Sequence, residues 1–232
     1  MKQSLKSLKK IRLAPENECR ESGYDIVIGI DEAGRGPLAG PVVAGAVALA
    51  DFNVTDDKFR RLLEQVADSK KLSAAARGEI YNLLVSHKSI VWGSGQVEPK
   101  VIDKINILEA TKRAMEAAVS DLLAKMLPAL NSKIFCLLDG NFKINIDHEQ
   151  KSIIKGDQKV FSISAASIIA KVARDRLMVD LGKRHPEYGF CRHKGYPTRE
   201  HIRALGRFGL LPEHRKSFGP CAVLLEKAII KI

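Results

Sequence analysis

The chain has 232 residues, 45% hydrophobic and 28% charged, with a formal net charge of +11. Such a chain can bury one substantial core with a small appendage, and its charged fraction argues against both disorder and a membrane protein. The longest apolar stretch, 38–50, is broken by Gly40, Pro41 and Gly45 and is too short to span a bilayer.

In chain order, residues 1–24 read as a basic arm. Its first twelve residues carry five Lys/Arg, no acid and none of the apolar run that a secretory signal needs, so a cytoplasmic location is expected. A strand over 25–30 (DIVIGI) ends at a polar turn, and a second covers 41–49. Helices are expected at 57–67 and, behind a Ser73 cap, at 74–87, followed by a strand near 90–96. Apolar residues at 3.6-residue spacing predict a long helix over 102–126, stopped by Pro128. The wholly apolar run 134–138 (IFCLL) reads as a central strand ending at Asp139-Gly140; 152–155 is a shorter strand and 164–184 a helix. Strands followed by alternation with helices predict one α/β sheet over 25–184, covered by helices. From 185 to 232 the chain turns basic and rich in His, Pro and Gly. Short helices near 198–208 and 222–230 suggest a helical appendage without a large core of its own.

Positive charge is concentrated. Residues 183–216 hold nine Lys/Arg against three Glu, so with the first twelve residues they account for the whole net charge. That distribution suits a polyanionic partner, since each neutralised phosphate releases counterions. The cysteines, Cys19, Cys136, Cys191 and Cys221, lie far apart with no C-x-x-C pair, which argues against zinc and against a disulfide framework.

Three apolar segments run into acids: Asp31-Glu32 after IVIGI, Asp139 after IFCLL, and Asp157 after Ile153-Ile154-Lys155-Gly156. Ordinary strand-ending turns would account for each one singly. Together, at one end of an α/β sheet, four carboxylates would repel strongly unless divalent cations neutralised them. Oxygen ligands without Cys or His favour Mg²⁺ or Mn²⁺, and two such ions ~3.5–4 Å apart suit in-line phosphodiester hydrolysis. Adjacent strand residues face opposite ways, so Asp31 and Glu32 share a site only where the strand ends or twists. The turn Gly34-Arg35-Gly36 supplies such a break. These features reach a metal-dependent phosphodiesterase and leave RNA or DNA open.

Six blocks then resemble the ribonuclease HII family: IGIDEAGRGPLAGPVVAGAV (28–47), DSKKLS (68–73), LLDG (137–140), KGDQKVFSISAASIIAKVARD (155–175), HKGYPT (193–198) and HRKSFGP (214–220). The resemblance implies a ribonuclease H-like mixed sheet flanked by helices, with a C-terminal helical region gripping the duplex. It casts Asp31, Glu32, Asp139 and Asp157 as the catalytic, metal-binding carboxylates for two Mn²⁺ or Mg²⁺ ions, with Asp31 bridging. It places Gly34, Arg35 and Gly36 against the ribonucleotide and its 2′-hydroxyl, and Tyr196 against the junction sugar. Lys70 and Asn106 are cast as phosphate contacts, and Arg215 and Ser217 either as phosphate contacts or as anchors of the tail. The implied substrates are RNA–DNA hybrids and DNA duplexes containing ribonucleotides, cut on the 5′ side to leave 3′-hydroxyl and 5′-phosphate ends, in ribonucleotide excision repair and removal of RNA from replication products. The related ribonuclease HIII family has a GTG-like turn and a sizeable N-terminal domain, which fits this chain less well. A non-catalytic hybrid-binding protein and a DNA nuclease of the same architecture are the alternatives. A monomer is expected, His193 and His214 read as surface histidines without catalytic work, and Trp92 as core.

Overall fold

The computed structural model describes residues 13–51, 56–66, 73–127, 129 and 131–229. Among them, five strands form one mixed sheet in the order β3-β2-β1-β4-β5: β1 Ile26–Ala33, β2 Val42–Leu49, β3 Ile90–Val97, β4 Ile134–Asp139 and β5 Glu149–Ile153. β1 pairs antiparallel with β2 and parallel with β4, so the central strand joins a meander to a crossover. The expected α/β sheet is therefore present.

Two long helices cover its faces. α4, Pro99–Met126, packs Ala110, Ala114, Ala118 and Leu122 with Ile26, Ile28, Ile30, Ala44 and Ala46. α5, Phe161–Arg184, covers the opposite face, with Ala165, Ala166, Ile168 and Ile169 beside Val47 and Leu49. It lies so close that a Cβ on Gly29 would come within 2.2 Å of the Ser162 carbonyl carbon. α2, Asp57–Gln65, and α3, Ala74–Ser86, complete that layer, with the Asp56 and Ser73 side chains accepting from the Phe59 and Ala76 amides as N-caps. Trp92 is partly buried against Tyr81, beneath the Lys125 ammonium at 4.2 Å.

Several expectations are corrected. β1 does not end at Ile30: pairing with β2 continues through Asp31↔Gly45, Glu32↔Ala44 and Ala33↔Val43, while pairing with β4 stops at Ile30↔Leu138. One-sided hydrogen bonding extends the strand past the apolar run that marks it in the sequence. The last strand is Glu149–Ile153 and not 152–155, because this polar edge strand (EQKSI) lacks an apolar signature. Asp157 accordingly sits on a 3₁₀ turn, Gly156–Gln158, entered through Lys155 at φ 56°. The long helix starts at Pro99, which suits a first helical position, and is broken at Asn106 (φ 67°, ψ 168°). It ends at left-handed Leu127; Pro128, the expected stop, lies outside the described residues. Within the expected basic arm, Ala14–Glu21 forms a helix, α1, which Leu13 and Glu16 tie into the core.

The tail folds as α6, Phe190–His193, α7, Arg199–Phe208, and α8, Gly219–Ile229. Its apolar residues Tyr188, Phe190, Leu205 and Cys221 pack with Leu38, Met178 and Leu181, making a satellite core on the second half of α5. No helix among the described residues is long and apolar enough to cross a membrane.

Candidate active site

The β1–β4 register carries Asp31 and Asp139 to neighbouring positions one step past the last parallel pair, on the sheet face covered by α5. Asp157 arrives from the turn leading into α5, so three separate segments deliver acids to one sheet end. Glu32 would face away by strict alternation. At the end of β1, however, Asp31, Glu32 and Asp157 all line one cavity of about 300 Å³, together with Gly34, Arg77, Lys171 and Tyr196. Asp139 does not line that cavity but is near enough for its charge to act on Asp31 and Glu32, and its Oδ1 accepts from the Gly156 amide at 2.6 Å.

Electrostatics register this crowding. Burial pushes the Asp31 carboxyl well above the usual range, and the negative charges of Glu32, Asp139 and Asp157 add to the effect. Glu32 is also raised by burial, against the opposing pull of the Arg35 guanidinium 3.2 Å away. Its second oxygen, Oε2, is buried without a hydrogen-bond partner among the described residues. The acids are neighbours without forming a closed cage: among the described residues, no three His, Cys, Asp or Glu side chains are gathered as a preformed metal shell.

The Gly34-Arg35-Gly36 turn is built from below. Gly34 adopts φ 96°, and a Cβ there would lie 2.0 Å from the Arg174 Nε, so both backbone and space demand glycine. Arg215, fully buried, donates to the carbonyls of Gly34 (2.6 Å), Arg35 (2.9 Å) and Gly40 (2.8 and 3.0 Å). Arg174 does the same for Ala39, Pro41 and Lys194. Arg215 is thus an anchor rather than a phosphate contact. Ser217 likewise donates through N and Oγ to Asp103. Of the two roles expected for Arg215 the structure shows the anchor, whereas nothing in ARD marked the Arg174 guanidinium as interior.

Tyr196 stands half-exposed where the acidic cavity meets a larger groove of about 780 Å³, in whose lining Arg77, Lys171, Arg176, Lys183, Arg192 and Lys194 outnumber Asp175 and Asp180. Arg77 and Lys171 were missed as site residues. Their signal was weak, because Lys171 pairs with Asp175 at 2.7 Å and reads as an ordinary helix-surface ion pair. Asn106 is exposed, and its Oδ1 accepts from the Leu108 and Glu109 amides, capping the helix after the break. Lys70 lies outside the described residues.

His193 and His214 are not surface residues; with His201 they are buried in the tail. Burial, then the neighbouring His201, push His214 down to about 4. An unfolded chain takes up that proton near pH 6.5, while the folded one resists until about 4, so stability falls as pH drops through this window. Between pH 7 and 5 the loss should be about 2 kcal/mol from this group. Urea denaturation at both pH values should show a smaller change in His214→Asn; an equal change would contradict the assignment.

The sequence model of the family described as Ribonuclease HII matches residues 28–221. A protein named Ribonuclease HII from Polynucleobacter asymbioticus is 49% identical over 200 residues, covering 86% of this chain and 96% of the relative. Another of that name, from Bacillus mycoides, is 47% identical over 213 residues, 91% of this chain and 76% of the relative. The crystal structure of ribonuclease H2 from Pyrococcus horikoshii superposes with a TM-score of 0.68 at 26% identity, over 87% of this chain and 98% of that one. A mixed sheet between helices, acids at the end of its central strands, and kinship over most of the length agree: the chain belongs to the ribonuclease HII family of hydrolytic nucleases.

Proposed function

We propose that this protein hydrolyses the RNA strand of RNA–DNA hybrids and cuts on the 5′ side of ribonucleotides embedded in duplex DNA, using two divalent cations. The observation carrying this reading is the convergence of Asp31, Glu32 and Asp157 on one cavity, with Asp139 close enough to act on Asp31, beside a groove in which basic residues outnumber acidic ones. The donor set fits Mg²⁺ or Mn²⁺: it is all oxygen, crowded with negative charge, and includes the buried Glu32 Oε2, which has no hydrogen-bond partner among the described residues. Asp31, Glu32, Asp139 and Asp157 would hold the ions, whose chemistry when bound would be activation of the attacking water and stabilisation of the leaving oxygen, giving 3′-hydroxyl and 5′-phosphate ends.

The chain's own groups do the positioning. Gly34-Arg35-Gly36 presents backbone and guanidinium to the ribose, whose 2′-hydroxyl is what separates RNA from DNA at one position. Tyr196 lays its ring against the sugar on the other side of the cut. Arg176, Lys183, Arg192 and Lys194 follow the duplex backbone, with Lys70 and Asn106 as further phosphate contacts. In this reading 25–184 is the catalytic unit, 185–232 the duplex grip and 1–24 an accessory arm. The protein works as a cytoplasmic monomer in ribonucleotide removal.

The test is duplex DNA containing one ribonucleotide, incubated with Mg²⁺ or Mn²⁺. Cleavage at its 5′ side is expected; cleavage of a long hybrid alone would sink the junction assignment. Tyr196→Ala should lower kcat/KM on that duplex about tenfold, the loss of one stacked contact, with the cation concentration for half-maximal activity unchanged. A parallel shift in cation requirement would contradict the role given to Tyr196.

A further inference from the structure

Two buried histidines of the tail, His214 and His201, form a chain of hydrogen bonds whose direction is fixed by the backbone at both ends. The Leu211 amide lies 2.8 Å from His214 Nδ1. An amide N–H can only donate, so Nδ1 accepts and the His214 proton sits on Nε2. His214 Nε2 is 3.1 Å from His201 Nε2, which must therefore accept. That leaves the His201 proton on Nδ1, 3.0 Å from the Tyr196 carbonyl, which can only accept. Every donor meets an acceptor with both rings neutral. A second proton on either ring would set two N–H groups against each other or an N–H against an amide.

The third ring closes the arrangement by the same logic. His193 Nδ1 accepts from the Gly195 amide at 3.2 Å, and Nε2 donates to the Tyr188 carbonyl at 2.7 Å. Its ring lies 4.6 Å from that of His201 at an interplanar angle of 15°, and Phe190 meets His201 edge-on. Thus the Tyr196 carbonyl is fastened to the His201 imidazole, and the Gly195 amide, one residue earlier, to that of His193. Thr198, which also donates to the Tyr196 carbonyl, caps α7, the helix that carries His201.

We infer that His201, locked into one tautomer by His214, is a positioning residue that aims Tyr196 at the substrate. This rests on the reading of Tyr196 as a sugar contact. The relay is buried and does not touch the carboxylates, so it acts on recognition and leaves the chemistry to the acids. Three features support a directed device over plain filling. The rings carry polar edges that an apolar residue would not need, the protons can be assigned in one way, and the last donor ends on the residue that faces the groove.

The test compares two substitutions of one ring. His201→Asn keeps a side-chain N–H at the place of Nδ1, whereas His201→Phe keeps the ring and its stacking and loses the donor. The measured quantity is the ratio of kcat/KM on single-ribonucleotide DNA to kcat/KM on a long hybrid, taken below each variant's melting temperature. That ratio should fall about tenfold in His201→Phe, the worth of roughly one hydrogen bond, and stay within about twofold in His201→Asn. Both ratios unchanged, or both substrates falling together in the two variants, would reduce the relay to packing and overturn the inference. Tyr196→Ala is the control. If it leaves the ratio intact, the reading of Tyr196 fails; if it lowers the ratio and His201→Phe does not, only the relay fails.

Discussion

Asp31→Asn should abolish cleavage while making the protein more stable. Asp31 is buried, its carboxyl is raised by burial, and three further acids surround it. A carboxyl whose folded pKa exceeds its unfolded value stabilises most below the unfolded pKa, and that contribution is lost as pH rises through the folded one. At neutral pH the raised Asp31 carboxyl therefore lowers the stability of the fold, and an isosteric neutral amide removes that penalty. We expect a gain of about 1–2 kcal/mol in chelator-containing buffer, read by thermal or urea unfolding. Cleavage should fall at least about a thousandfold, the rate equivalent of roughly 4 kcal/mol. Binding to a hybrid should change little, because the basic groove is untouched. A variant retaining more than about a tenth of the wild-type rate would remove Asp31 from the catalytic set.

The second large effect is expected at Arg215. Its guanidinium satisfies three carbonyls of the 34–40 segment and has no carboxylate within salt-bridge distance among the described residues. Arg215→Met keeps the stem but strands those carbonyls in the interior, so a loss of about 3–5 kcal/mol is expected. For a chain of this size that lowers Tm by roughly 10 °C or more. Arg215→Lys should recover less than half, since a point-like ammonium cannot reach Gly34, Arg35 and Gly40 together. A Tm within about 2 °C of wild type in Arg215→Met would refute the anchoring role. A phosphate-contacting arginine would instead weaken substrate binding and leave Tm alone.

Where apolar runs coincide with strands, the sequence was read correctly: β2 and β4 begin and end within a residue or so of expectation, and so does the helix behind the Ser73 cap. Capping chemistry is local and survives translation into structure. The errors share one cause. β1 extends through two acids because its neighbour β2 keeps pairing, β5 is polar because it is an edge, and α1 is held by a distant contact, Glu16 to the Ser162 amide. Each is decided by a partner far along the chain. The site divides likewise. Four acids at strand ends suggested a cation site before any fold was known, and the turn Gly34-Arg35-Gly36 could be named from the family resemblance. Arg174, His193 and His214 carry no local mark of burial, which is why the two histidines were expected on the surface.

The way the sheet is threaded also sets an order in time. Asp31 and Glu32 lie early, but β1 gains its parallel neighbour only from β4, and Asp157 comes later still. The turn beside these acids is fastened by Arg215, 181 positions after Gly34. During synthesis, a ribosome-bound chain that stops short of Asp157 has the first two acids and cannot bring the four together. Contacts of such sequence separation form slowly and late. On the proposed reading of the four acids, the cutting centre is therefore among the last features of the fold to be assembled.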